Sequence, residues 1–583
     1  MTGFLPREWS LRHPEEDRVR AIRESTGLSD PAARILVNRG ILDPAEAERF
    51  LSGSLQDVAD PFLLKDLEKA SARVVSAGRR REPVLIYADY DVDGATGSAV
   101  LFLFLREVFP ELPIRIHQNH RVRDGYGLRT EVLGEAAREG FRLVVTVDCG
   151  ITDLDAIRFA AGEGLEVIVT DHHTPGERLP PAFAVLDPKR PDCRFPEKDL
   201  AGVGVAFLLV CGIRRLLREE GRFSGGNGEP VLRRYLDLVA LGTVADMVPL
   251  RRDNRLFVKA GIEEIRSRPR PGIRALLSVA GVDPSHVTET DLGFRIGPRL
   301  NAAGRVGDSQ RSAALLVTEE PGTADRIARE LHSDNAKRQR EEERLLREAE
   351  EELRAVSPAG IPPAIVLARS GWHLGILGIV ASRLAERYLR PTVLLTVEDG
   401  EARGSVRSAE GFPLLSALRD LSPLLRRFGG HSYAAGVALS AERLEAFREG
   451  MERIASRHAE AREAPPSLPV DAEISLREMS PAFLEEIDRL RPFGIGNEEP
   501  LLVCRNLWIE RKRLFGGRGQ HVRFDVSEGS RSFEAIFFHP APTVAEPGQQ
   551  VDLLFTPQWS VFRGTRSVRL LGRGMRRADG PPV

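Results

Sequence analysis

Three aspartates at alternate positions, Asp89, Asp91 and Asp93, stand in the stretch VLIYADYDVDGATGSAV, Val84 to Val100. Carboxylates that close repel one another, so cations must offset their charge. The spacing DxDxDG also opens the EF-hand calcium loop, and Gly94 falls at the sixth position counted from Asp89. The twelfth position, where that loop needs a bidentate Glu, is Val100, and what precedes the aspartates reads as a strand rather than a helix. Calcium storage is rejected on both counts.

The same arrangement recurs. LVVTVDCG ends its apolar run at Asp148, LEVIVTDHH ends at Asp171, His172 and His173, and LVALGTVADMVPL supplies Asp246 just after an apolar stretch. A single Asp in such a place is usually a helix cap or turn former. Several at successive strand ends, with a His pair, are hard to explain as caps. In open parallel sheets ligands bind outside the carboxyl ends of the strands, so these groups should converge in one crevice. Asp-rich donor sets favour Mg²⁺ or Mn²⁺, and an imidazole among them shifts the preference toward Mn²⁺. Two such ions ~3.5–4 Å apart make a hydrolytic site for phosphate esters.

The elements that must position these side chains are legible as alternation. From about Arg80 to Leu250, EPVLIYA, FRLVVTV, GLEVIVT and AFAVLD read as buried strands, separated by amphipathic stretches such as GSAVLFLFLREVF and ITDLDAIRFAAGEG. Strand and helix in turn predict a parallel sheet with helices on its faces. Thr323 to Val356 contains no Gly or Pro and is dense in Glu, Arg, Leu and Ala, which predicts one long charged helix bridging domains. IPPAIVLA and RPTVLLTV, with ILGIVASRLAERYL between them, begin a second α/β domain ending at the Pro-rich break EAREAPPSLPV. Beyond it HVRFDVSE, SFEAIFF, VDLLFT and SVRLLGR suit a small barrel such as an OB-fold.

With 583 residues, 42% hydrophobic and 29% charged, the chain has the composition of a soluble globular protein of two to four domains. No apolar run approaches the ~20 residues needed to span a bilayer, and MTGFLPREWSLRHPEED lacks a signal-peptide pattern, so the cytoplasm is the expected location. Cys149, Cys193, Cys211 and Cys504 show no CxxC spacing and read as core thiols. The net charge of −2 removes a strongly basic whole-chain signature, but Arg505 to Arg577 is arginine-rich, consistent with a local nucleic-acid platform or a solvated face.

The stretches DYDVDGATG, VDCG, TDHH and GTVAD resemble the four motifs of the DHH phosphoesterase superfamily, and GWHLGILGIVASRL with RFGGHSYAAG resembles its DHHA1 partner domain. DGYGL, IGPRLNAAGRVGD, GSVRS, RPFGIGNEEP and an early WSLR narrow the resemblance to the bacterial RecJ single-strand-specific exonucleases, over nearly the whole chain and in family order. The resemblance implies a parallel-sheet DHH domain, a long connecting helix, a smaller α/β DHHA1 domain and a C-terminal OB-like barrel. The expected boundaries are an N-terminal helical region packed on the core (1–60), then 61–320, 321–357, 358–465 and 466–583. By the same resemblance Asp91, Asp93, Asp148, His172 and Asp246, with Asp89 alongside, look like ligands of two divalent cations, Mn²⁺ or Mg²⁺. His173 looks like the residue that contacts the scissile phosphate, with Asp171 supporting the histidines. Arg121 matches a position contacting the DNA end. Arg299, Asn301 and Arg305 match substrate contacts, and Ser405, Arg407, Gly429, Gly430 and His431 a pocket for a 5′ phosphate.

Two departures stand out. The chain reads HQNHRVRDGYG where the family reads close to IPNRF.EGYG, so Arg121 is kept but the family's proline is not; His117 and His120 there read as surface or DNA-facing rather than metal-binding. The barrel strands carry few aromatics, with Trp508, Phe515, Phe524 and Trp559 as candidates, so phosphate binding is the firmer expectation than base stacking. The function expected is 5′→3′ exonuclease action on single-stranded DNA with release of 5′-mononucleotides, in DNA repair and recombination. Partners implied by resemblance are single-strand-binding protein and a RecQ-type helicase, and the chain is expected to act as a monomer. The alternatives are a small-substrate DHH phosphodiesterase, which would need no extended basic platform, and a non-catalytic DNA-binding scaffold, which could lose acids that are all present here.

Overall fold

The computed structural model describes residues 8–121, 123–224, 228–358, 360–409, 411–460, 467–517, 519–538, 545–562 and 565–578. Most of the expected Pro-rich break, 461–466, lies outside them. The chain forms two compact units: residues 52–339 with 492–498, and 1–51 with 340–491 and 499–583. It begins with β1 (Glu8–Leu11) and the helices Glu16–Thr26, Asp30–Asn38 and Pro44–Ser52.

The first unit is built on five parallel strands, β2 (Val84–Ala88), β3 (Ile114–Gln118), β4 (Leu143–Val147), β5 (Glu166–Thr170) and β6 (Ala184–Leu186), in the order β3-β2-β4-β5-β6. Both faces are covered, which is why the strands read as unbroken apolar runs. Val84, Ile86 and Ala88 pack with Val100, Leu101 and Phe104 of the Val92–Val108 helix, while Leu85 and Tyr87 pack with Leu133, Ala156 and Ile157 on the other side. Four of the strands are those expected from sequence. The fifth, β3, escaped notice because this half-buried edge strand reads IRIHQ, with polar residues breaking the apolar run. The chain leaves β2 to form β3 on one side and β4 on the other, so a switch point lies at the carboxyl ends of β2 and β4.

The 36-residue helix Pro321–Val356 carries the chain into the second unit. It starts two residues earlier than the Gly- and Pro-free run, with Pro321 and Gly322 in its first turn, where a missing N–H costs nothing. Next come β7 (Ile365–Ala368), β8 (Thr392–Glu398), β9 (Glu401–Arg407), β10 (Arg427–Gly430) and β11 (Ala434–Ser440), in the order β10-β11-β9-β8-β7. After β12 (Ser467–Val470) and β13 (Ala472–Glu473), five long strands follow: β14 (Leu502–Phe515), β15 (His521–Glu528), β16 (Arg531–Phe538), β17 (Gln550–Phe562) and β18 (Thr565–Arg577). They close as β14-β15-β16-β18-β17 and back to β14, a five-stranded barrel of OB type. The N-terminal region finds its partners beside this barrel: β1 pairs with β12, and Arg39 holds Asp471 in a buried two-pronged ion pair of 2.6 and 2.9 Å.

Candidate metal centre and phosphate pocket

Asp89 closes β2. Its N–H donates to Val147 O (3.1 Å) and its carbonyl accepts from Gln118 Nε2 (2.8 Å), so both neighbouring strands hold the turn. Asp91 caps the Val92–Val108 helix, accepting from the N–H groups of Asp93 (2.9 Å) and Gly94 (3.1 Å). A Cβ at position 94 would stand 2.3 Å from Asp89 O, so the tight approach requires glycine. Asp93 accepts from Gly202 N (2.6 Å) and Val203 N (2.8 Å), the opening N–H groups of the Gly202–Glu219 helix, which have no partner within their own helix. Gly202 was not found from sequence, although a Cβ there would lie 2.8 Å from Asp148 Cβ. AGVGVAF gives no local sign of it.

Asp148 follows β4 with φ at 61°, a left-handed conformation, and its N–H donates to Thr170 O (3.0 Å). His172 Nε2 lies 3.1 Å from Asp148 Oδ1, 3.6 Å from Asp246 Oδ2 and 3.9 Å from Asp93 Oδ2. Asp246, grouped with the strand-end acids by its apolar lead-in, in fact follows the buried helix Leu236–Ala245. Donor atoms of Asp89, Asp91 and Asp148 fall within 4.8 Å of one another, as do those of Asp93, His172 and Asp246, and those of Asp148, His172 and His173. All six expected ligands therefore converge, and Asp148 belongs to two of the groups.

Burial, then the charge of Asp91, pushes the Asp93 carboxyl up to about 7. Burial and neighbouring carboxylates drive Asp89, Asp148 and Asp246 well above the usual range, and burial with the charge of His173 pushes His172 down to about 3. Asp89 Oδ1, Asp148 Oδ1 and His172 Nε2 are buried without a hydrogen-bond partner. Carboxylates and a neutral imidazole with unused acceptor atoms fit divalent cations of the Mn²⁺ and Mg²⁺ kind.

Asp171 has a different role. Its two oxygens accept from Ile151 N (2.9 Å), His172 N (2.7 Å), His173 N (3.1 Å) and His173 Nδ1 (2.8 Å). Burial opposes its ionisation, but the His173 hydrogen bond and the charges of both histidines outweigh that and hold it below the ordinary value. Burial likewise opposes the imidazolium of His173, and Asp171 overcomes it, raising the pKa. Tyr126 Oη lies 3.1 Å from His173 Nδ1 and donates to Asp148 O (3.3 Å). Tyr126 sits inside the DGYGL stretch, yet sequence reasoning passed over it.

The other expected residues of this unit divide. Asn301 Oδ1 accepts from Val92 N (3.2 Å), so it braces the aspartate turn itself. Arg121 stacks over Tyr90 at 4.9 Å. Arg299 Nε donates to His332 Nδ1 (3.3 Å), and Gly304, beside Arg305, lets Tyr90 O approach to 3.2 Å of a notional Cβ.

In the second unit Ser405 and Arg407 share one side of β9. Arg407 donates through Nε to Ser382 Oγ (3.0 Å), and a Cβ on Gly378 would meet Arg407 Nη2 at 2.5 Å and Ser405 Oγ at 3.3 Å. The register places Ser405 opposite Gly436 and Gly436 opposite Gly429, leaving a strip without side chains beside the guanidinium. Gly430 adopts φ of 148°, and His431 N donates to Ala434 O (2.8 Å) to close the hairpin. Ser382, Gly378 and Gly436 are the members of this pocket that sequence reasoning missed.

Family models match three stretches: DHH family, N-terminal domain, at 83–243; DHHA1 domain at 362–457; and RecJ OB domain at 470–573. A curated relative from Salmonella typhimurium, named single-stranded-DNA-specific exonuclease RecJ, is 36% identical over 97% of this chain and 99% of its own length. The chain belongs to the RecJ family. The Bacillus subtilis RecJ is 34% identical over 91% of this chain, which spans 66% of that longer relative. A crystal structure of RecJ from Thermus thermophilus in complex with Mn²⁺ superposes with a TM-score of 0.82 at 30% identity, covering 98% of this chain and 80% of that one. The expected fold class is borne out.

The OB barrel of this RecJ-family chain departs from expectation in two ways. Many of its basic side chains are already paired: Arg505 with Glu473 (2.8 Å), Lys512 with Glu546 (2.6 Å), Arg523 with Glu534 (2.9 Å), Arg573 with Glu499 (3.0 Å) and Arg576 with Asp552 (3.1 Å). Of the candidate stacking aromatics, Phe524 is buried in the barrel, and the half-buried Trp559 donates to Asp488 and carries Arg566 over its ring. Trp508 remains 46% exposed.

Proposed function

We propose that this chain hydrolyses single-stranded DNA exonucleolytically, from the 5′ end, releasing 5′-mononucleotides in repair and recombination. The observation that carries the reading is the convergence of five aspartates and His172 at the sheet's switch point, with Asp148 shared between two donor groups. Asp89, Asp91 and Asp148 would hold one Mn²⁺ or Mg²⁺ ion, and Asp93, His172 and Asp246, with Asp148, the other. Such a pair supplies Lewis acidity that lowers the pKa of water and offsets charge on phosphate.

The chain's own groups do the rest. His173, whose pKa Asp171 raises and whose ring Asp171 and Tyr126 hold, would donate to the scissile phosphate. Arg407 and Ser405, with Gly429, Gly430 and His431 alongside, suit a terminal phosphate, because a fixed guanidinium fork matches its oxygens and glycines allow close approach. Arg121, Arg299 and Arg305 are proposed to hold the strand behind it. The enzyme is proposed to act as a cytoplasmic monomer with single-strand-binding protein and a RecQ-type helicase; among the described residues no helix is long and apolar enough to cross a membrane.

The test is digestion of end-labelled single-stranded and duplex DNA with Mn²⁺ or Mg²⁺. Single-strand-selective release of 5′-mononucleotides, abolished by Asp148→Ala while DNA binding in EDTA persists, is expected. Preference for dinucleotides over long strands would favour the small-substrate reading, and no cleavage with either metal would favour the scaffold.

A further inference from the structure

Two stretches of backbone far apart in the chain meet at one buried side chain. Asn254, near the start of the helix Arg252–Ser267, donates from its amide nitrogen to Asp199 O (2.6 Å) and to Pro249 O (3.0 Å). Each acceptor stands three residues from a position that shapes the metal centre. Asp199 leads through the buried Leu200 and Ala201 to Gly202 and Val203, whose N–H groups hold the two oxygens of Asp93. Pro249 follows Asp246 by way of Met247, which turns the chain in the left-handed region at φ of 63°, and the buried Val248. Asp199 is not anchored by its own carboxylate, which is half exposed and reaches Lys189 only at 3.7 Å. Its backbone is held instead, with the N–H donating to Glu197 Oε1 (3.2 Å) and the carbonyl accepting from Asn254. The helix that carries Asn254 is a firm base. It packs so closely on Leu236–Ala245 that a Cβ on Gly261 would stand 2.1 Å from Leu236 O.

We propose that Asn254 is a positioning residue for one of the two cations. Its amide staples the strap before Gly202 to the turn after Asp246, and so sets the separation of Asp93 and Asp246, which with His172 form one donor group. The inference rests on the reading of these acids as ligands of two cations. Chemistry dictates the residue type. Two carbonyl oxygens facing one atom need two hydrogens from it, which an amide nitrogen supplies and a carboxylate or a hydroxyl does not. Without that donor two buried carbonyls lose their partner, and the segments that carry them must part or admit water. The effect is selective, because the other donor group stands on other supports. Asp89 is held by Val147 O and Gln118 Nε2, and Asp91 by the opening N–H groups of its own helix. Removing the staple therefore loosens the ion at Asp93, His172 and Asp246 and spares the one at Asp89, Asp91 and Asp148. Loss of a group that orients metal ligands typically costs about 10–100-fold in metal affinity.

The test is a titration of the full-length protein with Mn²⁺, followed by electron paramagnetic resonance, in which the unbound ion gives a sharp six-line signal. The parent should take up two ions tightly and show the signal of a spin-coupled pair. Asn254→Ala should keep one tight ion, bind the other about 10–100-fold more weakly and lose the coupled signal at two equivalents. Half-maximal hydrolysis of single-stranded DNA should need correspondingly more Mn²⁺, with kcat returning toward the parent's at saturating metal. Affinity for the strand in EDTA should match that of the parent. Asn254→Ser keeps one hydrogen and so serves one carbonyl only; it decides the matter if the alanine variant unfolds, and should show the same selective loss. Both ions weakened alike, or a kcat that excess Mn²⁺ does not restore, would overturn the proposal in favour of a general role in the fold. Both ions retained at parental affinity would overturn it too, while leaving the two-cation reading intact. A parent that binds fewer than two ions tightly would count against that reading itself, and the staple would then have no second site to set.

Discussion

Gly202 provides a direct test of how the metal centre is shaped. A Cβ at this position would stand 2.8 Å from Asp148 Cβ and 3.0 Å from Asp93 Oδ2. Carbon atoms rest at about 3.5–4.0 Å, so Gly202→Ala requires a displacement of roughly 0.7 Å or more. Neither side can yield easily. Gly202 opens a buried helix and donates its N–H to Asp93 at 2.6 Å, while Asp148 is tied through its own N–H to Thr170. The displacement therefore falls on carboxylates that must share their cations, and misplacement on the scale of 1 Å costs about 100-fold in rate. In single-turnover digestion of a 5′-phosphorylated strand, Gly202→Ala should lose about 100-fold in rate and need more Mn²⁺ for half-maximal activity, with DNA affinity in EDTA unchanged. Gly204→Ala, two residues along, is the control, since its Cβ would meet Leu200 Cδ2 at an ordinary 3.5 Å. A Gly202→Ala enzyme within about threefold of the parent at every Mn²⁺ concentration would refute the argument that this glycine sets the carboxylate spacing.

Arg407→Ala should weaken use of a 5′-phosphorylated strand by about 1.5–3 kcal/mol and that of a 5′-hydroxyl strand far less, read as the ratio of kcat/KM for the two. Equal loss on both would remove the basis for 5′→3′ polarity. In metal-free protein Asp93, with its pKa raised to about 7 from 3.8, keeps a proton that the unfolded chain gives up, so its contribution falls as pH rises through that interval. His172, lowered to about 3 from 6.5, acts in the opposite sense, but only below 6.5. The Tm in EDTA should therefore drop between pH 6.5 and 8, and Mn²⁺ should raise Tm more at pH 8; a flat or rising Tm would contradict this. Truncation after Pro465 should leave a folded first unit, because every ligand lies upstream, but a less stable one. It removes Ile495 O and Phe493 N, which bond Leu250 N (2.8 Å) and Glu289 Oε1 (3.0 Å), and Pro492 O beside the buried Arg255. A cost of about 1–3 kcal/mol in denaturant unfolding is expected for each buried group left without a partner.

What the sequence by itself determined is what local chemistry enforces. Four of the five parallel strands, the long charged helix and the acids after β2, β4 and β5 are legible because buried strands must be apolar and because carboxylates gathered at their ends are tolerated only beside cations. The family motifs named the six candidate ligands, which the fold brings together, and the candidate pocket at Ser405 and Arg407. Tertiary structure decided what depends on groups far apart in the chain. Asp93 is fixed by N–H groups more than a hundred residues away, and a backbone donor carries no sequence signal. Asp246 arrives from a helix, because a fully buried helix and a buried strand are equally apolar and short runs do not reveal their period. Tyr126 and Asn301 acquire their roles only when His173 and Val92 reach them. The barrel shows the limit most plainly. An arginine reads the same whether it faces solvent or a carboxylate, and a phenylalanine reads the same inside a barrel or on it. Closure of the barrel settles that Phe524 is core, that Phe538 is exposed and that several of the basic side chains are paired with carboxylates.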